Sequence, residues 1–225
     1  MYLSKIILDR RLVPLEELAT LFAQGHTGHA LAWQVFSRSE SQTRDFIFRE
    51  EWERDRFTLW TVSQQEPGDW NGYLSVESKP YNPRLSVGQK LRFTMRANAT
   101  IAAKQPGEKR GKRHDIIMHA KQQLTPDERR RYDTQELIQQ VGFDWLERQG
   151  ERRGFSPMGG TVRVDGYQQH AFRKNPSKKS RVRFSTLDFE GILTVNDPDL
   201  FLEALQNGIG STRAYGNGLM LIRNL

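Results

Sequence analysis

The sequence predicts an α+β protein of two tandem ferredoxin-like domains, each an antiparallel sheet with helices on one face. Three observations carry this. From residue 91 onward the hydrophobic pattern runs strand, helix, strand, strand, helix, strand, the split βαβ order. The first 80 residues give strand, helix, two strands and a weaker fourth strand, which reads as a copy lacking its second helix. Between them Lys79-Pro80-Tyr81-Asn82-Pro83-Arg84 carries two prolines that remove ladder donors, so the boundary is set there and the domains span 1–84 and 85–225. A length of 225 residues suits two small domains.

The elements follow in order. Tyr2 to Leu8 alternates as a strand. Pro14 opens a helix with Leu15, Leu18, Ala19 and Phe22 on one face. After Gly25-His26-Thr27-Gly28, a second short helix places His29, Trp33 and Phe36 at i, i+4 and i+7. Phe46 and Phe48, then Phe57 and Leu59, mark an antiparallel strand pair, and Leu74 with Val76 marks a third strand. Leu91, Phe93, Met95 and Ala97 alternate with Arg92, Thr94, Arg96 and Asn98, the cleanest strand in the chain, with one basic and polar face. A loop from 104 to 113 carries Lys109, Arg110, Lys112 and Arg113.

Thr125-Pro126-Asp127-Glu128 is a capping box opening a helix that runs to Arg148, with a break near Asp133-Thr134. Val162 and Val164 mark a strand. The turn Arg173 to Arg181 is dense in positive charge, and a long strand returns to Val195 with a phase change between Phe184 and Leu187 that predicts a bulge or bend. Asp197 caps the last helix, Gly208 closes it, and Leu219 to Ile222 is the final strand. Between them, Gly208 to Gly218 frames Arg213 with glycines. For Gly208 the helix C-cap reading applies; for Gly210, Gly216 and Gly218 with Arg213, a phosphate cradle is expected.

Composition narrows the chemistry. The net charge of +7 favours a polyanionic partner, nucleic acid before an anionic membrane. Zero cysteines exclude disulfides, thiolate zinc sites and thiol catalysis, and are compatible with a cytoplasmic setting. No apolar run has the length of a membrane span, and Met1 to Leu8 is too short for a signal peptide, so no membrane partner is expected. No HExxH and no paired-carboxylate array stands out, so neither a metal site nor another cofactor is expected. Of five histidines, His26 and His29 stand three apart beside two glycines, in place for proton transfer. The basic set, Arg92, Arg96, Lys112, Arg113, Arg173, Lys174, Lys178, Lys179, Arg181 and Arg213, falls in the second half and is suited to RNA phosphate contact.

Several segments together resemble a known family. They are Met1-Tyr2-Leu3-Ser4-Lys5-Ile6, His29-x3-Trp33-x2-Phe36, Arg44 to Arg49, Leu91 to Asn98, Trp145 to Arg148 with Gly154-Phe155, Phe189-Glu190-Gly191, and the glycine-rich Gly208 to Leu219. In this order they are similar to CasE, the RAMP-superfamily endoribonucleases that process CRISPR RNA in type I-E Cascade systems. The resemblance implies RRM-like domains and metal-independent cleavage of the repeat RNA hairpin. The RNA's own 2′-hydroxyl attacks, leaving a 2′,3′-cyclic phosphate and a 5′-hydroxyl. It also implies retention of the crRNA beside other Cascade subunits. His29 falls on the family's catalytic histidine; His26 stands where family members can carry a tyrosine, and Ser37 is a further candidate for the same site. A non-catalytic RNA-holding subunit is the alternative. On this reading the glycine-rich loop holds RNA and supports the domain interface, while the proton chemistry sits apart from it on His29.

Overall fold

The computed structural model describes residues 1–23, 27–36, 44–53, 56–103, 111–131, 133–173 and 181–225. The first four strands, β1 (Tyr2–Asp9), β2 (Phe46–Glu53), β3 (Arg56–Ser63) and β4 (Leu74–Pro80), form one antiparallel sheet in the order β2-β3-β1-β4. This is the ferredoxin-like order. The crossover from β1 to β2 consists of helices α1 (Leu15–Ala23) and α2 (Thr27–Phe36), and no helix lies between β3 and β4. Alternation explains the layering. Ile6, Leu8, Phe46, Phe48, Phe57 and Leu59 pack under Leu21, Leu31, Val35 and Phe36 of the helices. Ile47 and Val62 point to the opposite face and join the core of the second half, with Met1, Leu3 and Trp60 against its edge.

The second sheet comprises β5 (Lys90–Ala97), β8 (Phe155–Pro157), β9 (Arg163–Arg173), β10 (Arg181–Val195) and β11 (Met220–Asn224). Its order is β11-β5-β10-β8, with β9 also paired to β10, so β8 and β9 share the place of one ferredoxin-like strand. Leu91, Phe93, Met95 and Ala97 bury one face of β5 in a core that includes Trp145 and Leu146 of helix α5 (Thr134–Glu151) and Phe201 and Leu205 of helix α6 (Pro198–Asn207). The chain thus folds as two tandem ferredoxin-like domains.

Local chemistry sets the ends of the helices. Thr125 and Glu128 bond reciprocally at the start of α4 (Pro126–Arg131), Asp133 accepts from the Gln135 amide, and Asp197 accepts from the Asp199 and Leu200 amides. Each such cap contributes about 1 kcal/mol.

Lys79 and Pro80 pair with Leu3 and Tyr2 on an edge strand, where a missing donor is tolerated, and not in a central ladder. Three expectations need correction. Lys112 and Arg113 are not loop residues: they open β7 (Lys112–Asp115), which pairs with β6 (Thr100–Ala103) as a separate hairpin. A helix, α3 (Ile116–Gln123), follows it, capped by Asp115 and anchored by buried Ile116 and Ile117, where no helix was expected. The bulge lies at the phase change, between Thr186 and Asp188, but its extra residue belongs to β9. There Gly166 takes φ 62°, and a Cβ would meet the Asp188 carboxylate.

Candidate active site

α2 brings His29 into place. Leu31, Ala32, Val35 and Phe36 are buried on its core side, which leaves His29 in the first turn at the edge of the packed stripe. The Trp33 indole N–H, one turn later, donates to His29 Nε2 at 3.2 Å. An indole nitrogen is only a donor, so this bond makes Nε2 the acceptor and puts the proton of the neutral ring on Nδ1. Trp33 is itself held edge-on against Phe46 at 5.3 Å.

The other side of the site comes from the second half. The glycine-rich loop swings Tyr215 onto His29, with ring centroids 6.0 Å apart. Tyr215 stacks on Phe184 of β10 at 5.5 Å, and Phe184 stacks on His170 of β9 at 4.9 Å; Phe172 packs edge-on against Tyr215. Together they wall a cavity of ≈ 90 Å³ lined by His29, Glu50, Arg96, His170, Tyr215 and Asn217, among others. His170 Nε2 pairs with the Thr186 hydroxyl at 3.0 Å, and burial, with Arg96 nearby, lowers its proton affinity.

Charge around the cavity is mostly matched. Arg96 clasps Asp188 in a bidentate pair, Nε to Oδ1 at 2.7 Å and Nη2 to Oδ2 at 2.9 Å, which holds the guanidinium charged. Glu50 Oε2 accepts from the Gly28 amide in the first turn of α2 at 2.9 Å. Burial raises the Glu50 carboxyl above its ordinary value, against the opposing pull of that bond and of Arg96. A Cβ on Gly28 would collide with this carboxylate, so the glycine is what allows strand and helix to meet.

The loop is built from absent side chains. Gly208, Gly210, Gly216 and Gly218 all have positive φ. Gly208 closes α6 with its N–H on Ala204 O. A Cβ on Gly216 would press on Phe48, and one on Gly218 on the carbonyl of Ile209. Gly218 N–H donates to Arg96 O and Ile209 N–H to Gly218 O, tying the loop to the central strand of the sheet. The expectation that the loop and the proton chemistry lie apart is therefore corrected: Tyr215 and Gly216 share the cavity of His29.

The other predicted residues scatter. Arg113 lines a second cavity of ≈ 620 Å³ that shares His170 and Phe184 with the first. Arg92 lines a different cavity of ≈ 750 Å³, beside Trp60 and Arg223. Arg213 is exposed and donates to Asn207 O. Lys112 and Arg181 are exposed. His26, Ser37, Lys174, Lys178 and Lys179 lie outside the described residues, as does the side chain of Arg173. Among the described residues no group of three or more His, Asp or Glu side chains is placed to hold a metal ion, and no described helix is long and apolar enough to cross a membrane.

Comparison with known proteins gives the same picture. Residues 1–224 match the family model described as CRISPR associated protein. The chain is 28% identical over 234 residues, all of both chains, to the CRISPR system Cascade subunit CasE of Escherichia coli K12. It is 30% identical over 168 residues, 68% of this chain and 67% of the other, to the CRISPR-associated endoribonuclease Cse3 of Thermus thermophilus. A structure of CRISPR endoribonuclease Cse3 bound to 19 nt RNA aligns with a TM-score of 0.71 at 26% identity, covering 99% of this chain and 100% of that one. Thermus thermophilus Cse3 bound to an RNA representing a pre-cleavage complex aligns with a TM-score of 0.70 at 25% identity, covering 99% and 98%. The chain belongs to the family of CRISPR-associated endoribonucleases that includes CasE and Cse3.

Proposed function

We propose that this chain cuts CRISPR precursor RNA at the repeat hairpin without a metal ion and keeps the crRNA bound in a Cascade-type complex. The observation that carries this is His29: a histidine with a defined tautomer, set on a small cavity between the two domains and walled by aromatic rings. Its fold relatives include an endoribonuclease bound to RNA representing a pre-cleavage complex.

In the reaction the 2′-hydroxyl oxygen bonds to the adjacent phosphorus as the bond from phosphorus to the 5′-oxygen breaks. One proton leaves the 2′-oxygen and one reaches the 5′-oxygen, giving the 2′,3′-cyclic phosphate and the 5′-hydroxyl. Imidazole accepts or donates such a proton near neutral pH, and His29 is the general acid or base at this phosphate. His26, three residues earlier, is its candidate partner.

The domains are taken as 1–84, carrying His29, and 85–225, carrying the basic hairpin and the glycine-rich loop. The hairpin cations Arg173, Lys174, Lys178, Lys179 and Arg181 grip the RNA stem, with Arg92, Arg96, Lys112, Arg113, Arg213 and the loop at Gly210, Gly216 and Gly218 along the path. Arg96 enters already paired with Asp188, so it steers and holds rather than adding an unmatched charge. The work is placed in the cytoplasm.

The test is labelled repeat RNA incubated in EDTA. The wild type yields product. His29→Ala slows cleavage by at least about 100-fold while RNA affinity stays within about 3-fold. Cleavage that survives the substitution overturns the role of His29, and cleavage abolished by EDTA overturns the metal-independent reaction.

A further inference from the structure

Asn217 closes the glycine-rich loop. Its amide nitrogen donates to Thr212 Oγ1 at 3.0 Å, Tyr215 O at 3.3 Å and Thr212 O at 3.4 Å. Two of these acceptors are carbonyls, which cannot donate, so the amide has one orientation: nitrogen toward the loop. These bonds hold Thr212 at φ 54°, a left-handed conformation that a β-branched residue rarely adopts. The other end of the amide, Oδ1, is buried with no hydrogen-bond partner among the described residues, in a residue only 1% exposed. A buried acceptor without a donor is costly and calls for one. Asn217 also lines the cavity of His29.

We propose that Asn217 Oδ1 is the acceptor for a ribose 2′-hydroxyl of the RNA seated in the His29 cavity, making Asn217 a positioning residue that senses ribose. This rests on the RNA-cleaving reading of the site. No described residue supplies that donor, and a group of the bound RNA can. Phosphate oxygens and the ribose ring oxygen only accept at neutral pH, which leaves the 2′-hydroxyl and base N–H groups. Of these the hydroxyl edge of a ribose is the smaller donor, suited to a cavity of ≈ 90 Å³. A hydroxyl can donate to Oδ1 and still accept a second bond, so it fits among groups that include His29 and His170. The 2′-hydroxyl is also the feature by which a protein tells RNA from DNA.

The experiment measures binding of repeat RNAs carrying ribose, 2′-deoxyribose or 2′-fluororibose at each of the three nucleotides around the cut. The parent protein is His29→Ala, which keeps the RNA intact, and its partner adds Asn217→Ala. The parent is expected to show one position where both changes weaken binding about 10-fold, since each removes the donor. The double variant binds the ribose RNA about as weakly as the parent binds the deoxy form and shows no preference at that position. If the parent shows no such position, or the double variant discriminates equally, Asn217 is not the ribose acceptor. The parent scan decides the first point even if Asn217→Ala loosens the loop. Product appearing with the parent counts against the role of His29 and not against Asn217, because the readout here is affinity.

Discussion

α2 and the glycine-rich loop meet at one cavity, yet they are held by opposite means. The helix is fixed by what its residues carry: Leu31, Ala32, Val35 and Phe36 fill the core of the first sheet. The loop is fixed by what its residues lack, four glycines at positive φ whose missing Cβ atoms let its backbone lie on Arg96, Ile209 and Phe48. Hydrophobic packing adapts to modest changes in volume, whereas a backbone in van der Waals contact with another backbone does not. His29 therefore sits on the tolerant side of the cavity, and the wall that shapes the site sits on the intolerant side.

The largest expected effect tests the intolerant side. Gly218→Ala puts a methyl group against the Ile209 carbonyl at φ 90°, where neither partner can rotate away. Gly72→Ala also sits at positive φ, 74°, but with no atom within 4 Å. Urea unfolding is expected to show a loss of about 3 kcal/mol for the first and about 1 kcal/mol for the second. Equal losses would mean that conformation alone matters and that close approach does not, which would remove the distinction between loop and helix.

Much of the scaffold was legible in the residues because it follows local rules. Asp197 and Thr125 with Glu128 signal helix starts, period-2 alternation signals β5, and the i, i+4 spacing of His29 and Trp33 becomes a hydrogen bond. The rest of the site was not legible because it is made of long-range pairs. Tyr215 reaches His29 across 186 positions of chain, and His170 faces Phe184 only through the hairpin register. Three signals were present all the same. Phe46, Phe48 and Glu50 share one face of β2, so a carboxylate stands in an apolar register. His170 and Phe172 likewise share one face of β9, and a lone tyrosine, Tyr215, sits among glycines, where only a neighbouring element could bury its ring.

A middle-sized effect probes the helix side. Trp33→Phe keeps an aromatic ring against Phe46 but removes the N–H that fixes His29 Nε2. A single net hydrogen bond is worth about 1 kcal/mol. Cleavage is expected to slow about 10-fold with RNA affinity unchanged, as the ring loses the bond that fixes Nε2 as the acceptor and narrows its orientation. A rate equal to wild type would show that the ring is oriented by its stacking on Tyr215, which would shift control of His29 from helix to loop.

The smallest effect concerns Glu50, where the two sides are joined through the first turn of α2. Burial lifts its carboxyl above the ordinary value, so the folded protein binds that proton more tightly than the unfolded chain does. Between the unfolded and folded values the native state holds more protons, and this group's contribution to stability falls as pH rises through that window. Glu50→Gln keeps an acceptor for the Gly28 amide and cannot ionise. Thermal unfolding of the two proteins from about pH 4 to about pH 7 should show the variant gaining on wild type as pH rises. A difference that stays constant across the range would mean that Glu50 ionises without penalty and that Arg96 compensates its charge in full, so that α2 would be tied to the second domain by electrostatics rather than by packing alone.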